Sequence, residues 1–307
     1  MAVTSGALRP PDRDPHLANG RQLGRARVRR GTLAAAGVTF ARNRLALAGA
    51  IVFAAIGLAA VFALRLAPYP YALQDLDHRL EPPSAAHLLG TDGFGRDVLS
   101  RIVVGARASL ATGIVATGVA LVVGTLVGIA GGYFLGTTDL WLTRLTELAL
   151  GIPPLFLVLL IIALFGPSLR NTILVIGLVY WPPTARIIRG EALRLRQHQF
   201  IEAAQALGAS AARALWRHVF PNLLPALIVQ ATLFMADAIL IESGLSYLGV
   251  GIQPPLPSWG NMLVDGRRYV DSAWWIATFP GTAIFLTVLS INLVGDGLRD
   301  ALDPYRR

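Results

Sequence analysis

Long apolar runs separated by short charged segments dominate the chain. The first, Leu45–Leu64, contains twenty residues without a charge. As a helix rising about 1.5 Å per residue it would reach roughly 30 Å, the thickness of a bilayer's hydrocarbon core. The other runs of comparable length are Leu110–Leu135, Leu148–Phe165, Thr172 to about Ile188, about Leu223 to Leu248, and Trp274–Val294. This pattern predicts an all-α polytopic membrane protein with six transmembrane helices.

The first run has a second interpretation, the apolar core of a cleaved signal peptide. Such a core is about 7 to 15 residues long and lies close to the N-terminus, whereas 44 residues precede Leu45. We therefore expect an uncleaved anchor helix in 32–66, behind a disordered basic tail at 1–31. Residues 67–107 are then an external loop, and 108–307 form the core domain.

The arginines indicate the orientation of these helices, because cytoplasmic segments keep an excess of positive charge. If both termini lie inside, 19 of the 27 basic residues fall on the inner side and eight on the outer side. The sequence therefore predicts an N-in, C-in topology. Trp259, Trp274 and Trp275 lie near the outer end of the last span and predict an interfacial aromatic belt.

Composition excludes several chemistries. The chain is 54% hydrophobic and only 15% charged, and it has neither cysteine nor lysine, which rules out disulfides, thiolate metal sites and a Walker A or Schiff-base lysine in this chain. Its five histidines are scattered and no serine lies in a Gly-x-Ser-x-Gly elbow. An intramembrane hydrolase could use Ser290 or Asp237 only by elimination. We expect no enzyme activity, no cofactor and no metal.

The net charge of +9 raises the question of nucleic-acid binding. Such a protein needs a basic face on a folded domain, but nine arginines lie in residues 1–44, ahead of the first span. We expect no nucleic-acid partner.

The inner loop at about 195–222 is too apolar for a linker and too charged to cross a membrane. Apolar residues recur there at helical spacing, at Phe200, Ile201, Ala204 and Leu207. Gly208 can close this helix, Ser210 can cap a second one through Val219, and Pro221 should stop it. The residues leave two interpretations open. The loop could dock a partner through the small residues Ala203 and Ala204 beside Glu202, or rest on lipid headgroups through Arg213 and Arg217.

Small residues and prolines mark special points within the spans. Gly124, Gly128 and Gly132 recur every four residues on one face and favour close helix packing, with a sliding interface as the alternative. The pairs Pro153–Pro154 and Pro182–Pro183 lie near the inner ends of the third and fourth spans. They could form hinges or could simply shape the helix ends.

Asp237 and Glu242 are the acids placed deepest in the spans. An ionisable group in hydrocarbon costs about 2.5 to 3.5 kcal/mol on insertion scales, so both should face a partner or water. Five residues apart, they differ by about 140° around a helix and cannot share one narrow face. We predict that they line a substrate pathway where Asp237 attracts an ammonium group. Pairing of Asp237 with an arginine or another subunit is the alternative, and proton coupling in a secondary transporter is a further one.

Several motifs carry a resemblance to a known family. Glu202-Ala203-Ala204, Gly208 and Pro221 resemble the EAA loop of bacterial ATP-binding-cassette importer permeases, the segment that docks into the ATPase subunit. Four further segments resemble the peptide and nickel permease subfamily. They are His87–Asp92, Gly95–Arg101, Ser258–Leu263 and Gly295–Pro304. Together the matches extend from about Phe40 to Pro304.

This resemblance implies a type I importer permease with the MetI-like fold, in the bacterial cytoplasmic membrane. It implies four kinds of partner: membrane lipid, a second and similar permease subunit, two cytoplasmic ATPase subunits and an external solute-binding protein. ATP hydrolysis would belong to the partners, and the loop around Glu202 would couple it to transport. The expected solutes are di- and oligopeptides, with nickel complexes, glutathione or haem as alternatives.

Overall fold

The computed structural model describes residues 37–302, with the side chain of Gln205 excepted. The predicted tail at 1–31 lies outside this range. The main helices are α1 Arg44–Val61, α2 Val98–Phe134, α3 Gly136–Gly151, α4 Pro154–Phe165, α5 Leu169–Val179, α6 Trp181–Arg196, α7 Gln199–Ala206, α8 Ala211–Ala214, α9 Phe220–Tyr247, α10 Trp259–Arg267 and α11 Trp275–Leu302. Short helical turns lie at Ala63–Leu66 and Leu76–His78, between α1 and α2. Across residues 37–302 the only β-structure is one isolated bridge between Thr91 and Asp97. The protein is therefore all-α, as predicted.

Within the described range, four helices are long and apolar enough to cross a membrane. They are α1, α2, the continuous run Ala211–Tyr247 and α11, and a fifth is obtained if α3 and α4 are counted as one broken span. By length and composition, the described helices therefore provide four or five candidate spans, fewer than the six predicted from hydropathy.

The predicted third span, Leu148–Phe165, is not one helix. An 84° bend separates α3 from α4. Ile152 takes an extended conformation and Pro153 caps α4, because a proline disfavours helical backbone in the residue before it and cannot donate a hydrogen bond. The predicted span Leu148–Phe165 therefore covers the end of α3, the bend at the proline pair and all of α4.

The predicted fourth span is also interrupted. Its helix breaks at Tyr180 between α5 and α6. Pro182 and Pro183 lie in the first turn of α6, where the backbone N–H groups have no intrahelical partner and proline is tolerated. Both proline pairs therefore lie at helix ends.

Helix α2 is the centre of the bundle, and its glycines bring α6 into close contact. A Cβ atom built on Gly124 would lie 2.8 Å from the Trp181 carbonyl oxygen, and one built on Gly128 would lie 2.6 Å from that of Ala185. One on Gly132 would lie 2.5 Å from the Arg189 carbonyl oxygen. The predicted glycine face therefore packs on the backbone of a neighbouring helix, as small residues do in membranes.

Residues 67–97 and 249–273 meet at one end of α2, and we call this structure the cap. Asp97 caps α2 by accepting a hydrogen bond from the Ser100 N–H at 2.7 Å, so the helix begins at Val98, well before the predicted Leu110. The indole N–H of Trp275 donates to the Thr91 carbonyl oxygen at 3.1 Å. The expected aromatic belt is wrong for Trp259 and Trp275, because both are buried inside the protein.

Candidate functional site

The segment 195–222, at the opposite end of the bundle from the cap, folds into a helix, a bend and a helix. Gly208 follows α7 with φ of +81°, a left-handed conformation that glycine adopts without steric cost. Ser210 then caps α8, its side chain accepting from the Arg213 N–H at 3.4 Å. The local geometry predicted from the sequence is confirmed.

The prediction that Pro221 ends the second helix is wrong. The chain passes from α8 through a π-helical turn, Leu215–Val219, directly into α9. The Phe220 N–H donates to the carbonyl of Leu215 across this wide turn, and Pro221 lies in the first turn of α9, where a missing N–H does little harm. The second half of the segment is consequently a rigid extension of α9.

Ile201 anchors α7 to the helical bundle. Its side chain is completely buried in a cluster with residues from α2, α6, α8 and α9. The cluster consists of Tyr133, Ile188, Leu195, Ile201, Ala214, Val219 and Leu223. The side chain of Ile201 therefore connects α7 to α2, α6 and α9.

The other face of α7 is exposed. Glu202 and Ala203 are exposed, Ala204 is half-buried, and the side chain of Leu207 is 90% exposed at the end of the helix. On α8 and the π turn, Arg213 and Arg217 are exposed as well. The segment thus presents an apolar tip beside one carboxylate and two guanidinium groups.

A salt bridge that the sequence did not reveal lies near this segment. Both oxygens of Asp139 on α3 accept hydrogen bonds from Arg189 on α6, at 2.5 and 2.6 Å. Thr143 also donates to Asp139 at 3.1 Å. Such a two-bonded pair fixes orientation as well as distance, so it ties α3 to the helix that leads into α7. Its partners are 50 residues apart, and no local pattern joins them.

The two acids of α9 lie on different faces, as their spacing predicts. Asp237 is exposed, next to the exposed Leu233 and Leu240. Glu242 is completely buried. One of its oxygens accepts a hydrogen bond from Ser246 at 2.7 Å and the other one from Ser109 of α2 at 3.4 Å. The sequence assigned both acids to the substrate pathway, but the structure exposes Asp237 and buries Glu242.

A buried ionic network fixes the cap. Asp92 accepts the Arg96 Nε–H at 2.6 Å, and Arg96 also pairs with Asp265 of α10 at 2.9 Å. Arg101 approaches the same two carboxylates at 3.5 and 3.6 Å. Gly95, with φ of +69°, lies against the backbone of Asp75. The residues of the Gly95–Arg101 motif are thus explained by the architecture of the cap.

A large cavity of about 390 Å³ opens between α6, α9 and α11. Glu191, Gln230, Leu233 and Arg299 are among the residues that line it.

In residues 37–302, no three His, Asp or Glu side chains lie close enough together to hold a metal ion.

A bundle of long apolar helices around α2, with a cap at one end and an exposed helical segment at the other, defines a polytopic helical membrane protein. Comparison with known proteins identifies the family. Residues 98–307 match the profile of the binding-protein-dependent transport system inner membrane component, and 34–83 match that of the N-terminal transmembrane domain of oligopeptide transport permease C. The chain belongs to the family of binding-protein-dependent transport system inner membrane components.

Curated relatives are similar over nearly their whole length. The dipeptide transport system permease protein DppC of Alkalihalophilus pseudofirmus is 44% identical, covering 86% of both chains. The protein of the same name from Escherichia coli is 45% identical, covering 86% of this chain and 90% of the relative. The di/tripeptide transport system permease protein DppC of Pseudomonas aeruginosa is 42% identical, covering 87% and 90%.

Solved structures are similar in fold. Two crystal forms of the inward-facing MetNI methionine ABC transporter match with TM-scores of 0.54 and 0.55 at 19% and 20% identity. They cover 66% and 67% of this chain and 96% and 97% of the matched chain. The MetI-like helical fold and the inner-membrane location expected from the motifs are therefore confirmed.

Proposed function

We propose that this chain is a permease subunit of an ATP-driven importer that moves dipeptides and longer peptides across the bacterial cytoplasmic membrane. The observation that carries this proposal is the sequence identity of 42–45% to three permeases named for di- or tripeptide transport, over more than four fifths of each chain. Such a subunit works with a second permease, two ATPase subunits and an external binding protein. ATP hydrolysis belongs to those partners.

The proposed topology has six crossings with both termini inside. The crossings are α1, α2, α3 with α4, α5 with α6, α9, and α11. Counting the broken helices as spans places the cap outside and the 195–222 segment inside, which agrees with the excess of arginine on the inner side. Residues 32–66 then form an anchor, 67–107 an external loop and 108–307 the permease core.

The 195–222 segment is the proposed contact with an ATPase subunit. Glu202, Ala203 and Leu207 form its docking face, with Ala204 and Gly208 keeping the backbone accessible. Burial of Ile201 on the opposite face supports this role, because it connects the docking face to α2, α6 and α9. The continuous helix through Pro221 provides the stiffness that transmission between two sites requires.

The exposed face of α9 is the proposed wall of the substrate pathway. An exposed carboxylate in a membrane span needs water or a partner, and Asp237 has that position. We place the second permease opposite this face, with Asp237 attracting the peptide's ammonium group. Glu242 has no exposed surface, which favours Asp237 over Glu242 as a pathway residue.

The proline pairs are proposed hinges. Pro153 and Pro154 lie at the bend between α3 and α4, and Pro182 and Pro183 lie just after the break at Tyr180. Both are helix junctions on the route from the 195–222 segment to the pathway. Gly124, Gly128 and Gly132 keep α2 and α6 together as one body during this movement.

The test is uptake of labelled solutes by proteoliposomes that contain this chain, its second permease, both ATPases and the binding protein. We expect ATP-dependent uptake of a dipeptide, with a tripeptide, glutathione, haem and a nickel complex as competitors. Preference for glutathione, haem or the nickel complex would contradict the proposed substrate. Uptake by this chain alone, driven by a proton gradient, would establish a secondary transporter instead.

Two variants separate ATPase docking from lipid binding by the 195–222 segment. Leu207→Asp places a charge on the docking face and should abolish ATP-driven uptake and reduce co-purification of the ATPase. Arg213→Glu is the control, because Arg213 would contact lipid headgroups if the segment bound the membrane surface instead of an ATPase. A greater loss with Arg213→Glu than with Leu207→Asp would support lipid binding.

A further inference from the structure

Glu242 is a buried carboxyl group that the proposed pathway does not use. Its side chain has no exposed surface, although it lies in the spanning helix α9, where a buried ionisable group is costly unless hydrogen-bonded. Its side-chain hydrogen bonds come from serine hydroxyl groups. They come from Ser246 on the same helix at 2.7 Å and from Ser109 on α2 at 3.4 Å.

Ser246 and Ser109 connect the carboxyl group to the cap backbone. The Ser246 Oγ accepts a hydrogen bond from the Ile252 N–H at 3.1 Å. The Ser109 Oγ accepts one from the Trp259 N–H at 3.3 Å. A serine hydroxyl has one hydrogen and two lone pairs, so each serine donates to Glu242 and keeps a lone pair for the backbone amide.

Close packing leaves the segment between these two amides little freedom. A Cβ atom built on Gly251 would lie 2.1 Å from the Ser246 Oγ, and one built on Gly260 would lie 2.6 Å from the Ser243 Cα. Both ends of residues 251–260 therefore lie directly on α9. The Ile252 and Trp259 amides, next to these ends, are held by serines that Glu242 orients.

We propose that Glu242 is a positioning residue for the cap: its two oxygens orient Ser246 and Ser109, and these serines hold the Ile252 and Trp259 amides. The cap segment 249–259 is thereby joined to both α9 and α2. On the proposed function, this segment belongs to the outer surface that the binding protein meets. Glu242 thus sets the shape of that surface without touching the solute.

The two connections differ in strength. The Ser246 connection has bonds of 2.7 and 3.1 Å and stays within α9 and the cap. The Ser109 connection has longer bonds of 3.4 and 3.3 Å and joins the cap to another helix. Movement of α2 against α9 should release the Ser109 connection first and leave the cap segment attached to α9.

Hydrogen exchange of the Ile252 and Trp259 amides, measured by mass spectrometry on the full complex in lipid nanodiscs, tests this proposal. Glu242→Ala should accelerate exchange at both amides by about tenfold, since each loses an oriented buried partner. Ser246→Ala should accelerate Ile252 only, and Ser109→Ala should accelerate Trp259 only. Ser243→Ala is the matched control, because this adjacent buried hydroxyl has no hydrogen-bond partner, and it should change neither amide.

Unchanged exchange at both amides in Glu242→Ala would overturn the proposal. If that variant exchanges faster throughout the chain, the serine variants decide: a separate effect at each amide supports the proposal, and its absence overturns it. The measurement needs no solute. A wild-type complex that fails to transport dipeptides would therefore refute the proposed function and leave this result standing.

Discussion

The close contact between α2 and α6 predicts that Gly128→Ala destabilises the protein. The new methyl group would lie 2.6 Å from the Ala185 carbonyl oxygen and 2.9 Å from the Ile188 Cβ, where ordinary contacts are 3.4–4 Å. The two helices must therefore separate or distort. Overpacking of this kind costs about 1–3 kcal/mol.

A control on the same helix isolates the packing effect. Gly118 has no atom within 4 Å of a built Cβ, so Gly118→Ala changes only the backbone preference, which favours alanine by about 1 kcal/mol in a helix. Gly128→Ala gains the same preference and loses the packing. The difference between the two variants is therefore the packing cost alone, about 1–3 kcal/mol.

The assay is the apparent melting temperature of the complex in nanodiscs. At about 2–4 °C per kcal/mol for a chain of this size, Gly128→Ala should melt several degrees below Gly118→Ala. Uptake should fall only in proportion to the folded complex. Equal melting temperatures would refute the packing argument, and full stability with lost uptake would favour a sliding interface.

Three further outcomes are expected. Ile201→Ala removes a fully buried anchor and should cost about 2–5 kcal/mol; we also expect ATP hydrolysis without uptake, whereas coupled uptake would contradict the anchoring role. Asp139→Asn weakens the partly exposed pair with Arg189 and should cost about 1 kcal/mol, measured as a lower melting temperature. An unchanged melting temperature would show that the pair does not stabilise the contact between α3 and α6. In the cap, the hydrogen bond that His78 Nδ1 donates to Asp75 raises the pKa of His78 above 6.5, so its stabilising contribution is complete below that pH and is lost as pH rises through the raised value. Asp75→Asn should lower the pKa of His78 in an NMR titration, and an unshifted titration would contradict this cause.

Local patterns in the sequence predicted local structure well. The uncharged run Leu45–Leu64 corresponds closely to α1, Arg44–Val61, because hydrocarbon thickness sets the length of an apolar helix. Gly208 closes α7 and Ser210 caps α8 as expected, since both effects depend on neighbouring residues alone. The motifs identified the family.

The failures concern effects that depend on tertiary structure. A proline disrupts a helix interior but is accepted in a first turn. Hydropathy could not show that Pro221 lies in such a turn after a π-helical segment. Nor could it show that Pro153 lies at an 84° bend. Whether a proline ends, bends or begins a helix is decided by the surrounding chain.

The site residues that the sequence missed are joined over long separations. Arg96 meets Asp265 across 169 residues, and Trp259 meets Ser109 across 150. A single sequence carries no signal for such pairs. That Asp237 and Glu242 lie on different faces of α9 was predictable, since their angular separation excludes a shared face. Which of the two is buried is shown only by the packing of α2 and the cap on α9.

The central claim is that partner ATPases drive this chain through the exposed face of α7. The most direct measurement is ATP-driven dipeptide uptake and ATP hydrolysis, compared in proteoliposomes of the wild-type complex and of its Leu207→Asp variant. We expect the variant to lose uptake together with ATPase association, and an unmodified chain without ATPases to transport nothing. Wild-type uptake by Leu207→Asp, or transport by the chain alone, would contradict it.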